Sequence, residues 1–165
     1  MTTTIESGFG SRLMVNGFLL NNELTDFSFV PEVDGKPVAN AIEPGKRPRS
    51  SMAPTIIMKD GKPVLAIGSP GGSRIIPYVA KTIIAWADWD MNIQRAIDLP
   101  HLVNRFGKYD LEEGTAAEKF AKPLTKLGYE VEIRGLNSGL HGIEITASGL
   151  EGGADPRREG IVVGE

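Results

Sequence analysis

Pro54–Ala87 reads PTIIMKDGKPVLAIGSPGGSRIIPYVAKTIIAWA, and three kinds of local structure follow one another in it without a break. Ile56 to Met58 and Val64 to Ile67 are apolar runs on either side of Asp60-Gly61, a favoured two-residue hairpin turn. Their apolar character is continuous rather than alternating, which predicts strands covered on both faces. Beyond the glycine-rich GSPGGSR of Gly68–Arg74, Ile75, Ile76, Val79, Ile83, Trp86 and Ala87 recur at helical spacing. Ser73 is the expected N-cap, and Pro77 is tolerated because it lies near the helix start. A hairpin thus runs through a glycine turn into a helix.

Working outward, a second helix is predicted over Asn92 to Leu99, stopped by Pro100. A third is predicted from about Thr115 to Leu127, closed by Gly128 and kinked at Pro123. YEVEIRG (129–135) and GIEITASG (142–149) alternate as strands do, and GGADPRREGIVVG (152–164) reads as a turn followed by a last strand. Thr2 to Glu6 is Thr-rich and β-branched, a short strand by composition. GFGSRLMVNGFLLNN (8–22) suggests a strand, a turn and a buried loop, whereas Asp26 to Arg49 lacks periodicity and reads as a long functional loop. Strands, a hairpin, helices and then strands imply an α+β fold with a mixed sheet. With 165 residues, the chain fits a single domain, 1–165.

The formal charge of -3, without a basic block, argues against a nucleic-acid or anionic-membrane surface. Absence of cysteine removes disulfide, thiolate and zinc-thiolate chemistry. His101 and His141 stand far apart with no acidic partner at ligand spacing, so both read as structural and no metal site is expected. Trp86 and Trp89 read as core.

Three short stretches carry candidate chemistry. The turn at Gly71-Gly72 is neither a Walker A sequence nor G-x-G-x-x-G. It still leaves helix-start N–H groups without intrahelical partners, ready for negative charge or for water. Ser50-Ser51, after Arg47 and Arg49, can donate to a carboxylate or bond their own backbone. Glu23 and Asp26, three apart beside Asn21-Asn22, can hold an ammonium group or form a capped turn.

GFLLNNELTDF, KRPRSSMAPT and IGSPGGSRI, in that order and followed by GGADPR, resemble the small subunit of γ-glutamyltransferases, enzymes of the N-terminal nucleophile hydrolase superfamily. The resemblance covers nearly the whole chain. It implies part of a four-layer αββα sandwich, a fragment of the small subunit without its first strands. The large subunit of the same precursor is the implied partner, and no cofactor or metal is implied. The implied activity moves the γ-glutamyl group of glutathione and related compounds to water or an amino acid, in a periplasmic or extracellular setting.

Residue by residue, the resemblance gives Gly71 and Gly72 the oxyanion donors, and Ser50 and Ser51 the α-carboxylate. It gives Glu23 and Asp26 the α-ammonium. Thr4 corresponds to a threonine that hydrogen-bonds the nucleophile's hydroxyl. Glu6 stands where many members bind the amino group with asparagine. The family's nucleophile, an N-terminal threonine whose own amine is the base, has no counterpart in residues 1–165, which implies an inactive chain in isolation. The alternative is a non-catalytic module that binds amino acids or γ-glutamyl peptides.

Overall fold

Asn16-Gly17 and Asp34-Gly35 take up positive φ at both positions (51° and 85°, 52° and 71°), the conformation of tight hairpin turns. The first pair turns β1 (Met14–Val15) back onto β2 (Phe18–Leu19), and the second joins β3 (Glu32–Val33) to β4 (Lys36–Pro37). The latter hairpin lies inside the stretch expected to be an unstructured loop; Asp34-Gly35 was the local signal for it. The computed structural model describes residues 2–6 and 10–164. The chain divides into two compact units, Met1–Met52 and Ala53–Glu165. In the first unit, residues 2–5 run without strand assignment, contrary to the expectation of a strand over Thr2 to Glu6. Thr4 ties this stretch down, its carbonyl accepting from Asn22 N at 3.3 Å and its hydroxyl bonding Met52 Sδ. Ser7 to Phe9, the start of the stretch read as a strand, lie outside the described residues.

In the second unit, β5 (Thr55–Lys59) and β6 (Lys62–Gly68) form the expected hairpin through Asp60 and Gly61, at φ 50° and 75°. The pairing moves from Ile57↔Leu65 to Met58↔Pro63, a bulge beside a proline that has no N–H for the ladder. A 3-10 turn over Gly72–Arg74 leads into α1 (Ile75–Ala87), followed by α2 (Ile93–Asp98). Asn92 caps α2, its Oδ1 accepting from Arg95 N at 2.9 Å. Ser73 is not the cap of α1: it lies within the 3-10 turn, and its hydroxyl is taken by Arg105.

Next come β7 (Leu102–Asn104) and β8 (Tyr109–Glu112). The expected third helix is broken into a 3-10 segment, Ala116–Phe120, and α3 (Ala121–Lys126). Pro123 explains the break, because its ring collides with the carbonyl four residues back and removes a helix donor. After β9 (Val131–Arg134), the chain forms β10 (His141–Thr146) and β11 (Gly149–Ala154). The terminal turn and strand therefore occur in reverse order, with Gly152-Gly153 inside β11 and no strand after Ala154 among the described residues.

One sheet runs β11-β10-β6-β5, antiparallel throughout; the other runs β7-β8-β9, with β8 and β9 parallel. Leu65 and Ile67 on the inner face of the larger sheet pack with Tyr78 and Val79 of α1 and with Ile93 and Ile97 of α2. The outer face leaves Ile56, Met58, Ile143 and Ile145 exposed, so the hairpin is covered on one face within this chain rather than on both. Trp86 packs against the core, but Trp89, expected to be core, is exposed.

Helix α2 approaches the sheet where side chains are missing. A Cβ on Gly142 would lie 2.6 Å from Ile93 Cγ1, and one on Gly153 would lie 2.8 Å from Ile97 Cδ1 and 3.1 Å from Gln94 N. Because backbone as well as a side chain blocks position 153, Gly153→Ala is expected to lower unfolding free energy by about 1–3 kcal/mol, read from denaturant titration of the chain.

Candidate active site

In the first unit, Asn22 gathers the amino-acid-binding candidates. Its Oδ1 accepts from Glu6 N at 2.9 Å, and its carbonyl accepts from Thr25 N at 3.0 Å and Thr25 Oγ1 at 2.8 Å. Thr25 Oγ1 also lies 3.4 Å from Glu6 Oε2. Glu23–Asp26 is one 3-10 turn, in which side chains three apart eclipse, so Glu23 and Asp26 share a face. Asn21 Oδ1 holds the start of that turn by accepting from Glu23 N at 3.1 Å. Thr4 Oγ1 donates to Met52 Sδ at 3.7 Å, tying the segment of Thr4 to the residue after Ser51. Ser50 Oγ accepts from Met52 N at 3.3 Å, a local turn that leaves its proton free to be donated. Thr4, Glu6, Glu23 and Asp26 are thus linked through Asn22, a residue whose role no spacing rule exposed. Asn40 is a second residue of this kind: its Nδ2 donates to Asp26 O at 2.6 Å and its Oδ1 accepts from Arg49 N at 2.9 Å.

In the second unit, Gly71 has φ 140° and ψ 16°, and Gly72 has φ 58°. A side chain rarely adopts either conformation. Neither N–H donates to a backbone acceptor among the described residues, so two adjacent donors are presented at the head of the 3-10 turn. Three contacts fix the turn. The Tyr78 ring lies beneath Gly71, where a Cβ would sit 2.9 Å from Cε2. Arg74 donates to Asp110 Oδ2 from Nε at 2.8 Å and from Nη2 at 2.6 Å. Arg105 Nη1 donates to Ser73 Oγ at 2.6 Å.

Behind Tyr78 runs a buried polar chain. The Tyr78 and His101 rings stack tilted, 4.1 Å between centroids. Ser138 Oγ donates to Asp155 Oδ2 at 2.5 Å, so the 2.6 Å contact with His101 Nε2 makes that nitrogen the donor. Nδ1 is then the acceptor for Lys81 Nζ at 3.2 Å, and Lys81 also donates to Leu99 O at 2.5 Å. Arg157 completes the chain with bidentate bonds to Glu112 and one bond to Asp155. Serine, histidine and aspartate here do not form a nucleophile relay. The hydroxyl gives its proton to the carboxylate rather than to the imidazole, and exposures of 0% for Ser138 and 1% for His101 and Asp155 admit no substrate.

Charges in this chain are shifted accordingly. Burial, then the Lys81 and Arg157 cations, hold His101 far below its usual 6.5. Burial pulls Lys81 down to about 8. Burial alone would push Asp155 up, but hydrogen bonds from Ser138 and from the Arg157 and Leu140 amides outweigh it, and its carboxyl ends lower than usual. Burial likewise raises the Tyr78 phenol, keeping it neutral. Among the described residues no group of three or more His, Cys, Asp or Glu is placed to hold a metal, and no helix is long and apolar enough to cross a membrane.

The family model described as Gamma-glutamyltranspeptidase matches residues 1–165. The glutathione hydrolase proenzyme of Bacillus subtilis (strain 168) is 39% identical over 169 aligned residues, covering 99% of this chain and 28% of that protein. That of Escherichia coli (strain K12) is 37% identical over 167, covering 95% of this chain and 29% of that protein. The chain therefore spans less than a third of the length of these relatives. Among solved structures, a γ-glutamyltranspeptidase from Pseudomonas nitroreducens complexed with L-DON superposes with a TM-score of 0.84 at 33% identity, covering 100% of this chain and 92% of that one. A Helicobacter pylori γ-glutamyltranspeptidase gives a TM-score of 0.79 at 37% identity, covering 96% and 92%. The mixed helix-and-sheet architecture is that of these N-terminal nucleophile hydrolases, of which the chain covers part.

Two outcomes are expected of the turn and the chain behind it. Gly71→Ala meets both an unfavourable φ and the Tyr78 ring, so it is expected to lose about 1–3 kcal/mol of stability. Gly72→Ala, with nothing within 4 Å of its Cβ, carries only the φ penalty of about 1–2 kcal/mol; thermal unfolding of both variants compares them. For His101 the folded pKa lies below the unfolded value, so below about pH 6.5 the unfolded chain binds a proton that the folded chain refuses. Stability from the neutral imidazole is present above that pH and is lost as pH falls. Denaturant unfolding at about pH 7.5 and about pH 5 is expected to show a loss that shrinks in His101→Gln.

Proposed function

Because the chain belongs to the γ-glutamyltranspeptidase family, we propose that residues 1–165 serve γ-glutamyl transfer and hydrolysis as one domain of a larger enzyme. The observation that carries this reading is the Gly71-Gly72 turn. Its two adjacent N–H donors, braced by Tyr78, Arg74 and Arg105, support its assignment as the oxyanion hole.

A γ-glutamyl compound such as glutathione ends in an amino-acid head group, a zwitterion. Ser50 and Ser51 donate to its α-carboxylate; Glu23 and Asp26, aided by Glu6, accept from its α-ammonium. Clamping both charges fixes the γ-carbonyl for attack. A threonine hydroxyl from outside residues 1–165, deprotonated by its own α-amine and oriented by Thr4, adds to the carbon of the γ-carbonyl. The carbonyl electrons move to oxygen, where Gly71 and Gly72 N–H stabilise the oxyanion; one such donor is typically worth about 2.7–4 kcal/mol. Collapse breaks the amide bond, the amine proton passes to the leaving nitrogen, and a γ-glutamyl ester remains. Water or an amino-acid amine then takes the acyl group by the same steps in reverse.

The partner in this reading is the large subunit of the same precursor. In a four-layer sandwich the outer face of the β11-β10-β6-β5 sheet lies against a second sheet, for which Ile56, Met58, Ile143 and Ile145 supply apolar surface. Glu6, standing where many members carry asparagine, adds a negative charge to the ammonium side of this clamp.

In the full-length enzyme containing this segment, Ser50→Ala and Asp26→Asn are each expected to lower kcat/KM for L-γ-glutamyl-p-nitroanilide by about tenfold to a hundredfold, the value of a hydrogen bond to a charged group. Unchanged kcat/KM in both variants would remove the clamp from the mechanism.

A further inference from the structure

The amino-acid clamp has two arms on separate stretches of irregular chain, and the α-ammonium and α-carboxylate they grip sit on one carbon. The arms must therefore be held at one spacing, although no β-ladder joins them. Between them, Pro44 and Pro48 lack the N–H groups a ladder would need, and the chain loops out through a turn at Gly45 (φ 74°).

Asn40 crosses this gap. Its Nδ2 donates to the carbonyl of Asp26 at 2.6 Å, and its Oδ1 accepts from the N–H of Arg49, the residue before Ser50, at 2.9 Å. One planar carboxamide thus holds the backbone of the ammonium arm on one atom and that of the carboxylate arm on the other. The backbone of Asn40 is fixed in turn: its carbonyl accepts from Ser28 N at 2.9 Å, Ser28 and Ala41 form a parallel bridge, and Ala41 N donates to Val38 O at 2.9 Å. Asparagine is demanded by this arrangement, since the site needs a donor and an acceptor on one rigid group. Aspartate would turn a second acceptor toward the Asp26 carbonyl, and glutamine would move both bonds outward by one methylene.

Resting on the clamp reading above, we propose that Asn40 is a positioning residue that sets the spacing between the ammonium-binding and carboxylate-binding arms, and so the enzyme's preference for donors bearing both charges. It touches no substrate atom. Its effect reaches the substrate through Asp26 and through Ser50.

The test uses the full-length processed enzyme with two donors, L-γ-glutamyl-p-nitroanilide and glutaryl-p-nitroanilide, which keeps the carboxylate but lacks the ammonium. The readout is the ratio of their kcat/KM values, with Tm measured alongside. Asn40→Asp is expected to lower the ratio by about tenfold, mainly through a raised KM for the γ-glutamyl donor. Asn40→Gln retains both hydrogen-bonding groups and carries the same expectation should the aspartate variant fail to fold. Equal slowing of both donors by the folded variant would mark Asn40 as merely structural and overturn the proposal. Asp26→Asn separates the two readings. If it collapses the ratio while the Asn40 variants preserve it, the positioning role alone falls; if it leaves the ratio intact, the clamp itself is wrong.

Discussion

All five N–H donors of the Arg157 guanidinium are engaged. Nε and Nη2 hold the two Glu112 oxygens, Nη1 holds Asp155 and Ile97 O, and Nη2 also reaches Leu99 O at 3.1 Å. This one planar group joins the end of β8, the turn after β11 and the carbonyls that leave α2, where a cation also suits the helix dipole. Paired carboxylates make its burial tolerable; removing either would leave a buried charge uncompensated. From Asp155 the order passes to Ser138 and Leu140, then to His101, and from the imidazole to the Tyr78 ring under Gly71. The geometry of the glycine turn thus depends on an arginine more than eighty residues later in the chain.

Local chemistry was legible in the sequence and long-range chemistry was not. Asp60-Gly61, the repeat from Ile75 to Ala87 and the short helix before Pro100 are decided by neighbours within a few residues, and each appears where expected. Ser73 failed as a cap because the chain first makes a 3-10 turn, and Arg105, remote in sequence, claims its hydroxyl. β11 was misread because glycines weaken a strand by propensity, whereas here Gly153 is required by α2 overhead. Apolar runs in β5 and β6 cannot say whether the cover on their second face belongs to the same chain.

The candidate site divides the same way. Gly71-Gly72 was visible as a turn, and the acidic and serine pairs as polar clusters, but only their order along the chain, through resemblance, made them parts of one chemistry. Asn22 and Asn40 carry no pattern at all. Their bonds span loops, 16 residues for Asn22 to Glu6 and 14 for Asn40 to Asp26, and no periodicity encodes such a tie.

The paired glycines of β10 and β11 bear on how the larger sheet assembles. Gly142 pairs with Gly153, and Ile93 and Ile97 of α2 descend onto them. A one-residue slip of β11 would reverse its faces, and a two-residue slip would bring Glu151 or Asp155 beneath the helix in place of Gly153. Neither arrangement lets α2 close, so the missing side chains act as a key that admits the sheet in only one alignment.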